Sequence, residues 1–411
     1  MKKEGEMMRR YHKAWTVLAV LCGLAAAAIG VSINTSGVFY TVVSEDLGML
    51  RGAFAFHMTI FSLVTAISAL FVPRLLNRYP FKRFLMIAVL VGVVGTGLMA
   101  VSSQLWQFYL LGAIRGFSTG MFSIVTITLI INQWFKEKNG LATSIALGFS
   151  GLVGAVFSPI FSWVIAHIGW RGAYGLEALL IGLLCLPAIL YPFTMMPEDE
   201  GSKAYGKQSV KNHQVVTAQD KKVATVFQLG ALLIFASLIG FMSSMTQHLP
   251  GYATSVGLSV TLGASLLSMG MLGNIISKLV IGVLSDRFGS LKATTVLLAL
   301  ALLGNLLLMQ TQVTVFLLLA AFLFGSCYGL GSVSLALVTR DIFGDDAYGK
   351  RFPIISFAGN LGAALAFSII GYIYDFTGSY FPTLIMLVAF LLISTISLFS
   401  AFYRRKMVRE K

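Results

Sequence analysis

The chain has 411 residues, 57% of them hydrophobic and only 11% charged, whereas soluble domains carry about 25% charged residues. That balance excludes an ordinary soluble protein. The formal net charge of +14 would suggest a nucleic-acid partner in a soluble protein, so its meaning depends on where the charges stand.

A helix needs roughly 20 apolar residues to cross a bilayer, and such runs occur twelve times, at about 15–41, 52–76, 83–102, 105–134, 140–167, 172–194, 223–249, 258–284, 291–311, 313–339, 350–374 and 380–402. The first follows a basic start, as a signal peptide does. It is too long for one, and Cys22 follows Leu21 rather than a small residue, so neither a signal peptide nor a lipoprotein cleavage site is expected. Cys22, Cys185 and Cys327 all lie within apolar runs without CxxC spacing and read as small packing residues. The one long polar segment, 197–222, falls between the sixth and seventh runs. The expected organisation is an N-terminal six-helix bundle over 1–196, a cytoplasmic linker over 197–222 and a C-terminal six-helix bundle over 223–411.

With a cytoplasmic N-terminus, 26 of the 30 Lys and Arg residues fall on the cytoplasmic side and only Arg51 and Arg171 fall outside, while Arg115 and Lys278 lie within spans. This is the positive-inside bias. It predicts a multi-pass protein of the cytoplasmic membrane with both termini inside, and it accounts for the basic excess without nucleic acid.

The stretch GVLSDRFGSLK at 282–292 has a worn counterpart in PRLLNRYPFKR at 73–83, an offset of 209 residues at which Gly116 also pairs with Gly325, Gly120 with Gly329 and Gly140 with Gly349. A repeat of this length points to duplicated six-helix halves, a common basis of alternating access in transporters. The loop resembles the signature of the major facilitator superfamily, G-x-L-x-D-R-x-G-x-x-K/R. Gly282, Leu284, Asp286, Arg287, Gly289 and Lys292 match it throughout, whereas the first copy keeps Leu75, Arg78 and Arg83 but has Pro73, Asn77 and Pro80 in place of the glycines and the aspartate. The resemblance implies an all-α polytopic fold, twelve transmembrane helices in two pseudo-symmetric bundles. It also implies that Gly282, Asp286, Arg287, Gly289 and Lys292, with Asn77 and Arg78, support conformational exchange through charge contacts. With Asn77 neutral, more of that role falls to the second copy.

Charges within a bilayer are costly, at least about 2.5–3.5 kcal/mol near the centre, so each is a candidate functional group. Lys278 lies eight residues before Asp286, about 12 Å along the helix from its cytoplasmic end, and so is expected near the midplane. Asn274 stands one turn earlier on the same face. No acidic residue lies nearby in that span, and an unneutralised cation suits a transported anion. Arg115, in AIRGFSTG at 113–120, either pairs internally, with Glu177 as the partner, or contacts substrate. Asn34, Gln133, Asn305 and Asn360 are polar groups that hydrogen-bond a substrate or join helices. In the superfamily the first, fourth, seventh and tenth spans line the cavity, which favours Asn34, Tyr40, Ser243, Ser244, Gln247 and Tyr328. His57 and His248, near the outer span ends, read as hydrogen-bonded packing residues or as groups titrating near neutrality.

The segment NQWFKEKNGLATSIALGFSGLVGAVFSPIFSWVIAHIGWRGAY at 132–174, with FGDDAYGKR at 343–351 and GYIYDFTGSY at 371–380, is similar to monocarboxylate transporters and oxalate:formate antiporters. The resemblance implies a secondary transporter of a small mono- or dicarboxylate, working by proton symport or anion exchange, without a cofactor and functional as a monomer. Carriers of this group typically have an aspartate and an arginine at the positions held here by Asn274 and Lys278. Lysine keeps the charge but not the bidentate geometry, and asparagine cannot carry a proton. The second cation that oxalate-type antiporters bring from the eleventh span has no counterpart, since 354–374 contains no Lys or Arg. Drug efflux is the alternative, although 145–165 lacks the Gly-Pro of that group's fifth span; a non-transporting receptor is a further one. An enzyme is not expected, because the spans offer no paired acids and no clustered histidines.

Overall fold

In hydrocarbon every main-chain N–H and C=O must find its partner within the chain, so long apolar runs become helices. The computed structural model describes residues 12–206, 222–310 and 313–409, and these are helical throughout apart from turns and one isolated bridge between Phe135 and Tyr205. Among them twelve spans follow in order. Span α1 comprises Lys13–Ala25, a π-turn Ala26–Val31 and Gly37–Asp46, α2 is Arg51–Ala69, and α3 is Phe81–Met99. Span α4 comprises Leu105–Phe122 and Ile124–Trp134, and the continuous stretch Asn139–Leu190 divides at Gly169 into α5 and α6. Span α7 comprises Lys222–Ser244, a 3-10 turn Met245–His248 and Leu249–Ser255; α8 is Val260–Phe288 and α9 is Ser290–Leu308. Span α10 runs through Thr314–Phe324, Ser326–Gly329, a π-turn Leu330–Ser334 and Leu335–Phe343. Asp345–Thr377 is α11 and Phe381–Arg409 is α12.

Two apolar cores form. One gathers Phe54, Phe61, Phe108, Phe122, Phe161 and Tyr174 from α1–α6, and the other gathers Phe235, Phe324, Leu297 and Leu387 from α7–α12. Ala264, Leu267 and Met271 of α8 belong to the first core, so α8 packs across the boundary onto α5. The three cysteines are free and buried.

The spans alternate in direction, which puts the connections around 47–50, 256–259 and 378–380 at one end, here the acid-bearing end after Glu45, Asp46 and Asp375. The signature loops lie at the opposite, basic end. Hydrogen bonds between the two sets of helices run from mid-span to the acid-bearing end. Ser268 of α8 donates to the Ala155 carbonyl of α5 (2.8 Å), Thr59 of α2 to the Ala364 carbonyl of α11 (2.6 Å), and Ser368 of α11 to the Gly52 carbonyl (2.9 Å). Small residues permit this approach: a methyl group on Gly371 would stand 2.6 Å from the Gly52 Cα.

The two signature loops differ in backbone as well as in sequence. Gly289 adopts φ 84°, ψ 159° between α8 and α9, a conformation that strains any residue with a Cβ. Pro80, at the matching place, has φ −59°, ψ 127°, which proline prefers. The segment 197–222, expected as a linker between the bundles, is in part packed against the first of them. Residues 197–206 dock onto the N-terminal helices: Pro197 is buried, the Tyr205 N–H donates to the Trp134 carbonyl (2.7 Å), and its ring lies 5.5 Å from that of Trp15. The part at 207–221 lies outside the described residues, and Lys222 already belongs to α7.

Candidate functional site

Regular helix leaves no main-chain group free, so a transporter that needs polar backbone at mid-membrane must break its helices there, and such breaks are tolerated where they face protein or a water-filled cavity. Apart from the turn at Leu70–Phe71 that separates α2 from the short helix Val72–Arg78 toward the basic end, the breaks fall on four spans. In α1 the π-turn Ala26–Val31 leads into a turn through Ser32–Ser36; α4 is interrupted at Ser123 (ψ −149°); α7 tightens to a 3-10 turn at Met245–His248; and α10 breaks at Gly325 and again in the π-turn Leu330–Ser334. These are the first, fourth, seventh and tenth spans.

One hydrogen-bonded chain and one series of close contacts cross this level. In the first, Ser36 shares a hydrogen bond with the Tyr40 hydroxyl (3.0 Å) and donates to Gln247 Oε1 (3.4 Å), which also accepts the Gly37 N–H (3.2 Å); Gln247 Nε2 then donates to the Tyr328 hydroxyl (3.4 Å). Gly37 lies directly against the Gln247 carbonyl, with no room for a side chain. Tyr40, Gln247 and Tyr328 are thus brought together through Ser36, which the sequence reading passed over although it stands in the small polar run Asn34-Thr35-Ser36-Gly37. In the series of close contacts, Asn34 Nδ2 donates to the Ser150 carbonyl of α5 (3.2 Å), and the neighbouring Gly151 faces α8, where an added Cβ would lie 2.7 Å from Ile275 and 3.6 Å from Asn274 Nδ2.

Asn274 is at the midpoint of α8, and Lys278 is one turn on toward the basic end, about 6 Å along the axis, not at the midpoint itself. Asn274 is 4% exposed, yet its Oδ1 has no hydrogen-bond partner, while Nδ2 reaches only the Met271 sulfur at 4.0 Å. Lys278 continues the face of Leu267, Met271 and Asn274 that turns toward the N-terminal helices. It is half-buried and, among the described residues, has neither an ion-pair nor a hydrogen-bond partner. Beside it Ser277 packs so closely on α10 that a Cβ on Gly329 would stand 2.7 Å from the Ser277 hydroxyl, and this contact sets the adjacent Tyr328 against the same region. Asn360 is exposed on α11. It shares the helix face of Ala364 and Ser368, which meet α2, and stands one turn nearer the basic end.

Arg115 stands apart from this group. Its guanidinium is ion-paired to Glu177 of α6, with side chains 4% and 3% exposed, and its other terminal nitrogen lies 3.2 Å from the Met99 sulfur. A Cβ on Gly95 of α3 would stand 3.4 Å from the Arg115 side chain, so the pair is enclosed by α3, α4 and α6. His57 is buried and its Nδ1 donates to the Phe54 carbonyl (2.6 Å). His248 is buried between the rings of Tyr40 (5.2 Å) and Tyr380 (6.1 Å). Asn305 Nδ2 donates to the Leu384 carbonyl (2.9 Å), joining α9 to α12, and Gln133 accepts from Lys136 (3.4 Å). Ser243 and Ser244 bond main-chain carbonyls, Ser244 reaching Ala363 of α11 (3.0 Å).

At the basic end Arg78, Arg287 and Lys292 are exposed, and Gly282 faces open space. Asn77 and Asp286 belong to the helices Val72–Arg78 and Val260–Phe288; their side chains lie outside what the structure describes. Ser290 at the start of α9 donates to Asp341 at the end of α10, which ties the second signature loop to the neighbouring span.

Comparison with known proteins agrees with this architecture. The chain is 24% identical over 343 residues to the uncharacterized MFS-type transporter YhjX of Escherichia coli (strain K12), covering 81% of this chain and 82% of that one. It is 25% identical over 331 residues to monocarboxylate transporter 12 of Mus musculus, covering 74% and 68%. A crystal structure of the nucleoside transporter NupG superposes with a TM-score of 0.69 at 14% identity, over 94% of this chain and 98% of that one, a likeness of fold alone. The profile of the Major Facilitator Superfamily matches residues 20–365 and again 249–411. The chain is a multi-pass membrane protein and belongs to the Major Facilitator Superfamily of transporters.

Proposed function

We propose that this protein moves a small organic anion bearing a carboxylate across the cytoplasmic membrane by alternating access, with Lys278 as the counter-charge. The observation that carries the reading is an ammonium one turn from mid-membrane, half-buried and without a partner among the described residues, beside a buried Asn274 oxygen that is also unpartnered. Water in an open cavity solvates such a cation. When the cavity closes, that solvation must be replaced, since a buried charge without compensation is costly. A bound carboxylate replaces it with a charge-assisted hydrogen bond. The loaded carrier then closes more readily than the empty one, which favours anion exchange, or symport in which the proton travels on another group or on the substrate. The similarity to a protein named as a monocarboxylate transporter supports the same class of cargo. Asn34, Tyr40, Gln247, Tyr328 and Asn360 complete the site in this reading, and the Arg115–Glu177 pair holds the helices behind it.

The charge distribution supports the orientation: the basic end is cytoplasmic and the acid-bearing end faces out. The helices before 197 and after 222 act as the two rocking bundles, and the second signature loop controls their exchange. The protein works as a monomer.

The test is uptake into proteoliposomes of lactate, pyruvate, formate and oxalate, under imposed pH gradients and under exchange conditions. Wild-type protein accumulates at least one of them; Lys278→Gln abolishes that uptake, and Lys278→Arg retains binding with altered selectivity. Carboxylate uptake by Lys278→Gln at the wild-type rate and affinity overturns the proposal.

A further inference from the structure

The first main-chain N–H groups of a helix have no partner within it and carry the positive end of its dipole. In α2 the residue before the helix, Leu50, offers no side-chain cap. The cap comes instead from α11, across the boundary between the two sets of helices: the Arg51 N–H donates to Asp375 Oδ1 (3.0 Å) and the Gly52 N–H to Asp375 Oδ2 (2.7 Å). The Arg51 side chain reinforces the contact, with its guanidinium 4.1 Å from the centre of the Tyr374 ring and its Nη2 donating to Glu45 (2.8 Å). Ser368, about two turns earlier on α11, bonds the Gly52 carbonyl (2.9 Å).

We propose that Asp375 is the positioning residue that holds the acid-bearing end closed. Both oxygens of one carboxylate serve α2, and α2 and α11 belong to opposite bundles, so this bond must break whenever that end opens. Asp375 is half-buried, so water takes over both partners as they separate. The contact therefore biases the equilibrium toward closure without preventing opening. Without the carboxylate the closed state leaves two N–H groups poorly satisfied, whereas the open state loses nothing, and the population shifts toward opening at this end. The other acids at this end are engaged elsewhere, Glu45 by the Arg51 side chain and Asp46 by Trp170 and Arg171, and offer the α2 N–H groups no substitute.

The experiment reads accessibility and needs no substrate, so its failure is distinct from failure of the Lys278 reading. Thr246 is fully buried in the α7 turn. In intact cells Thr246→Cys is labelled from outside by a membrane-impermeant maleimide, with protein lacking that substitution reporting the background of the three native cysteines. Asp375→Ala is expected to raise the labelling rate about tenfold, with Asp375→Asn, which keeps one acceptor, intermediate. Asp375→Glu is expected to bring the rate back toward wild type. Elution as a monodisperse species confirms folding, and where Asp375→Ala fails that criterion Asp375→Asn carries the decision. A wild-type labelling rate in the folded variant overturns the proposal.

Discussion

Arg115 of α4 is ion-paired to Glu177 of α6, and the two side chains are the most deeply enclosed opposite charges among the described ion pairs, at 4% and 3% exposed. Removing one member leaves the other buried and uncompensated, a loss of about 3–5 kcal/mol, whereas replacing both with apolar residues of similar volume is often neutral. Arg115→Met alone is expected to lower the melting temperature in detergent markedly, and Arg115→Met with Glu177→Leu to recover most of the loss. A double variant as unstable as the single one shows that the pair does more than neutralise itself. Substrate-dependent stabilisation that survives in the double variant would place Arg115 outside the binding site.

The segment 207–222 contains Lys207, Lys211, Lys221 and Lys222, each a trypsin site. With the basic end in the cytoplasm, trypsin outside intact cells leaves this segment whole, and trypsin added to inside-out vesicles cuts it, giving two fragments near half the chain length. Cleavage from outside reverses the assigned orientation, and with it the side from which Thr246→Cys is labelled.

The spans were legible in the sequence because crossing a bilayer is a requirement on local composition, and the second signature loop was legible because its glycine is imposed by local backbone: Gly289 needs φ 84°. Lys278 and Asn274 were visible for a related reason, as polar residues in a run where each polar residue is costly. What stayed hidden depends on partners far away in the chain. Ser36 looks like an ordinary small residue until Gln247, 211 residues on, is set beside it. Asp375 reads as a span-end acid until the uncapped start of α2 meets it across 324 residues. Tyr205 sits in a polar stretch that composition marks as linker, yet its ring finds Trp15 and Phe135. The breaks in α1, α7 and α10 had a local sign, clusters of Ser, Thr and Gly within apolar runs, but such clusters also mark close helix packing, and only the backbone distinguishes the two.

Asn274 is one turn before Lys278 on α8, and an acid placed N-terminal to a lysine at this spacing pairs with it favourably. Asn274→Asp is therefore expected to neutralise the ammonium at neutral pH and compete with an incoming anion. The sign follows from the charges: ionised carboxylate masks Lys278, protonated carboxylate releases it. Uptake of a monocarboxylate by the variant should fall about tenfold or more at pH 7.5, chiefly through a higher KM, and should recover as the pH is lowered, so that its pH dependence is steeper than the wild type's. Asn274→Ala separates the charge effect from the loss of the amide, because it removes the unpartnered oxygen without masking the cation and shifts KM with no added pH dependence. If Asn274→Asp takes up the anion with the wild-type KM at pH 7.5 and an unchanged pH profile, Lys278 is not the group that the substrate's charge meets.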